Sequence, residues 1–251
     1  VKNKPWIIML SLTTLTFVSL AMKGGSYVYY FENFIDASRL TSFINPVLEF
    51  LSSIGINFFG KDPVSAGFGL FNAGGIIFMI IGIGLSKTLA DKYGKRNVFG
   101  LFLFISTFFI ILFNFFKPTS IELIFGSQIL HGFFYGITIP LLWAMIADVA
   151  DYSEWKNNRR ATAIIFSAMM VGLKLGLTIG SSLVTKILDY YGYDANSVSG
   201  QASEAILGTK LLVSIFPAIP FLLGVGLLFF YEINKDMETQ IELELKQRRN
   251  N

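Results

Sequence analysis

The sequence predicts an all-α membrane protein built as a six-transmembrane-helix bundle. Three observations carry this. The 251 residues are 53% hydrophobic and 16% aromatic with 15% charged, at a mean hydropathy of +0.58, too apolar for an ordinary soluble domain. Six stretches approach or exceed the roughly 20 apolar residues a helix needs to cross a bilayer, which argues against a soluble helical protein with a large core. The charged residues gather in the short segments between those stretches, so the net charge of +3 and pI near 9.0 read as membrane topology rather than as nucleic-acid binding. With no cysteine, disulfides, thiolate metal sites and a cysteine nucleophile are all ruled out. The chain opens on Val1 rather than Met and is expected to be an excised piece of a longer protein.

The first span runs from about Pro5 to Met22 or beyond. It leads into Lys23-Gly24-Gly25-Ser26-Tyr27-Val28-Tyr29-Tyr30-Phe31, where paired glycines can loosen a helix and Lys23, Tyr27 and Tyr30 share one helical face. Two readings stay open for that face. Either it lines a polar site, or it is an interface anchor, since Lys23 is roughly 27 Å from Pro5 at helical rise and tyrosines gather in the aromatic belt of a membrane. Ile35 to Ser65 then form a long outer connection in which Phe43, Val47, Phe50, Leu51 and Ile54 recur at helical spacing, which predicts a short amphipathic helix on the outer surface. Span two, about Ala66 to Leu85, is followed by Leu89-Ala90-Asp91-Lys92-Tyr93-Gly94-Lys95-Arg96, a tight basic turn in which Gly94 can take a positive φ. Span three covers about Val98 to Phe116.

Span four, about Ile121 to Ala147, carries Gln128, His131, Tyr135 and Thr138 on one face, and Pro140 in the same run permits a kink. A polar face inside a membrane points to a cavity. His131 is the only histidine, so no histidine-based metal site is expected, and it is either a satisfied packing group or a proton relay. Then Asp148, Asp151 and Glu154 precede Lys156, Arg159 and Arg160 in a charged turn. That turn is either a solvated loop, whose surface pairs stabilise little, or a gate whose pairs re-form between states.

Span five, about Thr162 to Tyr190, carries a lysine in its middle. Lys174 is about 12 residues in, roughly 18 Å from the nearer end, too far for its side chain to reach water. Placing a lysine there costs about 2.5 to 3.5 kcal/mol, and such residues face a bundle interior or a watery cavity. Ser167, Lys174, Thr178, Ser181 and Thr185 fall in one polar stripe, while Ala168, Gly172, Gly176 and Gly180 form a small-residue ridge on another side that lets a neighbouring helix approach closely. Any one of the hydroxyls can instead bond its own i−4 carbonyl. Span six is about Ala205 to Tyr231, and a polar tail follows. An even number of spans puts both ends on one side, and most of the 20 basic residues cluster there, at Lys2, Lys4, Lys87 to Arg96, Lys156 to Arg160 and Lys235 to Arg249. Both termini are therefore expected in the cytoplasm of a multi-pass cell-membrane protein.

Several motifs resemble known families. Leu89 to Arg96 is similar to the cytoplasmic loop signature of the major facilitator superfamily. Ala147-Asp148-Val149-Ala150-Asp151-Tyr152-Ser153-Glu154-Trp155-Lys156, with Arg160 and the Lys174-bearing helix, resembles the glycoside–pentoside–hexuronide:cation symporters, the family of the melibiose permease. Tyr29-Tyr30-Phe31 resembles that family's aromatic motif at the end of its seventh helix. Gly192-Tyr193, Asn196, Gln201, Leu207-Gly208 and Pro217 resemble the run linking its last two helices, and Met237 to Arg249 its cytoplasmic tail.

The resemblance implies that residues 1–233 are the C-terminal half of a twelve-helix major facilitator fold, with residues 234–251 a cytoplasmic tail. It implies substrate bound between two halves near the midplane, a sugar or glycoside moved with Na+ or H+, and coupling-cation aspartates in an N-terminal six-helix half. Lys174 matches the family's intramembrane lysine on the eleventh helix. Met170 stands where the melibiose permease is polar, so its sugar contacts differ. The expected cavity residues are Lys174, Thr178, Ser181, Tyr135, His131, Gln128 and Tyr30. The expected cytoplasmic gate is Asp148, Asp151, Glu154, Arg159, Arg160, Asp91 and Arg96. The expected partners are the sugar, the other half and the lipid bilayer, with no cofactor beyond the coupling cation. No nucleophile-and-base set or HExxH motif points to an intramembrane enzyme. A channel or receptor built on the same helices is the alternative.

Overall fold

A computed structural model describes residues 3–56, 62–158, 161–197 and 200–250. The first helix, α1 (Lys4–Asn33), starts with the Asn3 side chain accepting from the Trp6 amide at 3.1 Å and with Pro5 in its first turn, where the missing N–H costs nothing. It runs unbroken through Gly24 and Gly25. The expected loosening does not occur, because the surrounding packing outweighs the weak helix propensity of two glycines. Asp36 caps α2 (Ala37–Ser53) at 2.8 Å from the Arg39 amide. A helix is present here, as the spacing predicts, but it is anchored by Leu40 and Ile44, which are buried, while Val47, Phe50 and Ile54 point outward. Leu40 fills the space over Gly67, where an added Cβ would lie 2.7 Å from its Cδ2.

Asp62 caps α3 (Pro63–Tyr93), which ends at Gly94 with φ 84°. There the chain reverses, as expected, into α4 (Lys95–Ile111) and one 3-10 turn, Leu112–Phe115. The long helix α5 (Ile121–Asn157) includes Pro140 and ends at Asn158 in the left-handed conformation. This corrects the expected charged turn. Asp148 to Lys156 continue α5 for more than two turns past the apolar run, since nothing before Asn158 breaks the helix. Next come α6 (Thr162–Tyr190), α7 (Ser203–Val213) and α8 (Ile215–Leu228). The break at Ser214 between α7 and α8 precedes Pro217, whose carbonyl accepts from Ser19 Oγ at 2.7 Å. The tail forms α9 (Lys235–Asn250).

Among the described residues, six helical stretches are long and apolar enough to cross a membrane: α1, α3, α4 with its 3-10 turn, α5, α6, and α7 with α8. They pack as two tight pairs, α1 with α6 and α3 with α5, backed by α4 and α8. Small residues make both pairs close. On α6 the predicted ridge meets α1, where a Cβ at Gly176 would lie 2.5 Å from the Thr14 carbonyl oxygen and one at Gly180 2.5 Å from that of Val18. On α5, Gly132 and Gly136 meet the carbonyls of Gly75 and Met79 on α3. These contacts bring backbones together where no hydrophobic effect drives helices to associate in lipid.

Candidate functional site

The expected cavity residues divide into two sets that the fold keeps apart. The first lies between α1 and α5. Tyr27 donates its hydroxyl to Gln128 Oε1 at 3.0 Å, and Gln128 lies over Gly75, whose missing Cβ gives it room. His131, 1% exposed, points Nδ1 at the Ser106 carbonyl oxygen at 3.0 Å. A carbonyl only accepts, so in the neutral ring Nδ1 carries the proton and Nε2 is left as an acceptor. Tyr135 stacks on His131 with centroids 5.7 Å apart. Tyr30 is fully buried among aromatics, stacked on Phe34 at 4.8 Å, and its hydroxyl has no partner among the described residues.

Lys23 joins this set. Because α1 continues to Asn33, Lys23 is about ten residues, roughly 15 Å, below the outer end of its helix. Its side chain is buried within the bundle. Its ammonium is 5.5 Å from the Tyr27 ring centroid and within electrostatic reach of His131.

The second set is the stripe on α6. Lys174, Thr178 and Ser181 are all exposed on the surface of this chain. Thr178 Oγ1 bonds the Lys174 carbonyl at 2.9 Å, as an isolated helix hydroxyl does. The predicted division into an open polar face and a packed ridge is therefore present, but the open face turns away from the Gln128–His131 cluster instead of meeting it within this chain.

At the far end of α5, Asp148 accepts from Lys95 Nζ through both carboxylate oxygens, at 2.7 and 2.9 Å. The same ammonium reaches Glu238 Oε1 on α9 at 2.6 Å. A cavity of about 230 Å³ opens beside them, lined by Asp148, Asp151, Glu238 and Glu242 among others. Glu154 follows Asp151 by three residues on the same helix. Arg96 is committed to the Tyr231 carbonyl at 2.9 Å, and Asp91 offers its backbone carbonyl to Lys235 at 2.6 Å. Arg159 and Arg160 lie outside the described residues. Sequence reasoning missed Lys95 and Glu238 because they come from distant parts of the chain; the only signal was a lysine directly after the turn glycine.

The tail also grips α5 through Trp155, whose indole donates to Glu244 at 2.6 Å, and through Arg248, which donates to the Trp155 carbonyl at 3.0 Å. Hydrogen bonds from Gln240 and then Trp155 hold the Glu244 carboxyl below the usual carboxylate range. Ile241 and Leu245 are buried on the same docked face.

Comparison with known proteins gives a consistent family. The model of the family described as MFS/sugar transport protein matches residues 1–235. YagG of Escherichia coli (strain K12), provisionally named a glycoside/cation symporter, is 28% identical over 241 residues, which is 96% of this chain and 45% of YagG. The isoprimeverose transporter of Lactiplantibacillus pentosus is 25% identical over 249 residues, 98% of this chain and 45% of that protein. The glucuronide carrier protein homolog of Escherichia coli (strain K12) is 26% identical over 185 residues, 72% of this chain and 40% of the carrier. The chain spans about half the length of the relatives it matches.

Proposed function

This chain belongs to the MFS/sugar transport protein family, a family of transporters and not of enzymes, and on that footing we propose that it is one six-helix half of a secondary active transporter. In this reading the intact protein moves a glycoside, pentoside or uronide together with Na+ or H+, by alternating access of two halves around a site near the midplane. Both termini of this half lie in the cytoplasm, where most of its basic loop residues gather. The observation that carries the reading is the open stripe of Lys174, Thr178 and Ser181 at mid-membrane depth on a helix whose other side is packed. A lysine so placed needs a watery cavity or an opposite charge, and a second half supplies both. The relatives' names include a sugar carrier and a glucuronide carrier, which supports a sugar substrate.

The gate has a more specific form than its sequence implied. Lys95, Asp148 and Glu238 form the part of it that is held within this half. Substrate counterflow in vesicles holding the complete transporter tests the reading. Preloaded unlabelled sugar should drive transient uptake of labelled sugar. A channel equilibrates solute without this exchange and a receptor moves none, so either pattern overturns the proposal.

A further inference from the structure

A cavity of about 500 Å³ opens between α4 and α8, apart from the Gln128–His131 cluster and from the Lys174 stripe. Buried Gly100 and Leu228 form its floor, where an added Cβ at Gly100 would lie 3.1 Å from Leu228 Cδ1, and Leu101, Phe104 and Phe229 stand exposed beside them. Arg96 and Asn97 close one end. From Arg96 to Phe104 is about 12 Å along α4, so this is an apolar groove, two turns long, that ends on polar groups. It does not face the surface that Lys174 marks for a second half. On α1, Leu12 and Ser19 meet α8, whereas Leu10, Thr14 and Phe17 meet the glycine ridge of α6. At 100° per residue those two sets lie on opposite sides of α1, so α8 and α6 do as well, and the groove looks out into the bilayer.

Its polar end has donors to spare. Arg96 gives one N–H to the Tyr231 carbonyl at 2.9 Å and one to Asn97 Oδ1 at 3.5 Å, and Asn97 gives one amide N–H to the Tyr93 carbonyl at 3.3 Å. A guanidinium has five such donors and a carboxamide two. What remains suits a phosphate, which arginine takes in bidentate fashion. Lys92 and Lys235 add positive charge at the same turn, the Lys235 Cβ lying 3.1 Å from where a Cβ on Gly94 would be. Among the described residues no carboxylate lines the groove, and the nearby Asp148 and Glu238 are engaged by Lys95.

We propose that this groove binds one anionic phospholipid of the phosphatidylglycerol class, with its phosphate on Arg96 and Asn97 and an acyl chain lying along Gly100, Phe104 and Leu228. The inference rests on the chain spanning a membrane and is independent of which sugar is carried. Basic pockets between membrane helices select acidic headgroups. A zwitterionic lipid offers the same phosphate but brings its own ammonium against Arg96, Lys92 and Lys235, so net charge decides between them.

The test uses the complete transporter in phosphatidylcholine bilayers. Phe104→Trp places a fluorescent reporter at an exposed aromatic position in the groove, and the difference from the unsubstituted transporter isolates its signal. Quenching is measured with phosphatidylglycerol or phosphatidylcholine brominated on the acyl chain, each diluted into unlabelled phosphatidylcholine. Phosphatidylglycerol is expected to reach the reporter with about fivefold higher relative affinity, the preference that one basic side chain confers. Adding Arg96→Gln or Asn97→Asp should bring the ratio to about one. Asn97 is exposed, so Asn97→Asp tests the site even if losing the Arg96 contact with Tyr231 prevents folding; melting temperature reports whether each variant is folded. A ratio near one in the parental reporter overturns the proposal, as does an unchanged ratio in Asn97→Asp. Relief of the quenching by soluble glycerol phosphate would show a site for a free anion rather than for a lipid. Absence of quenching by either lipid would show that a second copy or the other half covers the groove, which also overturns it.

Discussion

Where α9 docks on the bundle, the Lys95 ammonium is shared between Asp148 at 2.7 Å and Glu238 at 2.6 Å, with the Lys95 and Asp148 side chains only 23% and 15% exposed. Desolvation at that level makes the loss of one partner matter more than at an open surface. In the complete transporter a double-mutant cycle of Asp148→Asn and Lys95→Met, read as thermal unfolding in detergent, is expected to give a coupling of about 1–3 kcal/mol. Additive effects would show that the contact contributes nothing. Lys174 is expected to behave in the opposite way. Its side chain is exposed on this half and the ridge that packs its helix is elsewhere, so Lys174→Ala should abolish coupled uptake while surface abundance stays near the parental level. Normal uptake, or lost expression, would remove it from the site. These residues differ in how far the sequence announced them. Lys174, Gln128 and His131 stand out as polar groups in apolar runs. The Lys95 pairing does not, because its partners come from α5 and the tail, and no periodicity links them.

Helix boundaries and helix contacts were legible to different degrees for a physical reason. An apolar run ends where the bilayer ends, but a helix ends only where something breaks it. Hence α5 continues past Ala147 to Asn157, α1 continues past Met22 to Asn33, and α3 continues to Gly94. Close packing was legible on α6 from its four-residue glycine spacing. The matching contact of Gly132 and Gly136 with α3 has the same spacing, but the polar face of α5 obscures it in the sequence. Gly176→Val and Gly132→Val are each expected to cost about 3 kcal/mol, the upper end for overpacking, since the obstructing atoms are backbone carbonyls. Gly126→Ala, with nothing within 4 Å of the new Cβ, should change stability by less than about 0.5 kcal/mol. Melting temperatures of the three variants check the contrast. The docking of α9 should depend on pH. Glu244 has its carboxyl held below the ordinary range, so its contribution is present above the unfolded pKa and is lost as pH falls through the folded one. Amide exchange in α9 should therefore rise on acidification below the usual carboxylate range, and its staying unchanged there would contradict the assignment.

Across the whole molecule, burial is uneven in a way that bears on what this chain can do by itself. The most apolar windows of α1 and α5 are each 50% buried, but those of α3 and α6 only 17% and 28%. The two flanking helices thus present most of their surface outward, and α6 presents a lysine and hydroxyls as well as apolar groups. Lipid covers the apolar part without cost, since acyl chains are as apolar as leucine. It does not suit Lys174, which is exposed near mid-depth. This separates insertion from activity. The six apolar stretches and the backbone-to-backbone packing of α1 with α6 and α3 with α5 are complete within the chain, so the isolated chain is expected to insert in membranes. Substrate binding and coupling are not expected, because one wall of the cavity, the counter-charge for Lys174 and the cation ligands all belong to the proposed second half. Expressed alone, the chain should be recovered in the membrane fraction and give no cation-driven sugar uptake. Co-expressed with the proposed N-terminal six-helix half, it should recover counterflow, since the two halves of such a fold meet through side-chain surfaces and not through shared strands. Coupled uptake by the isolated chain would place the whole site inside these six helices and overturn the two-half account.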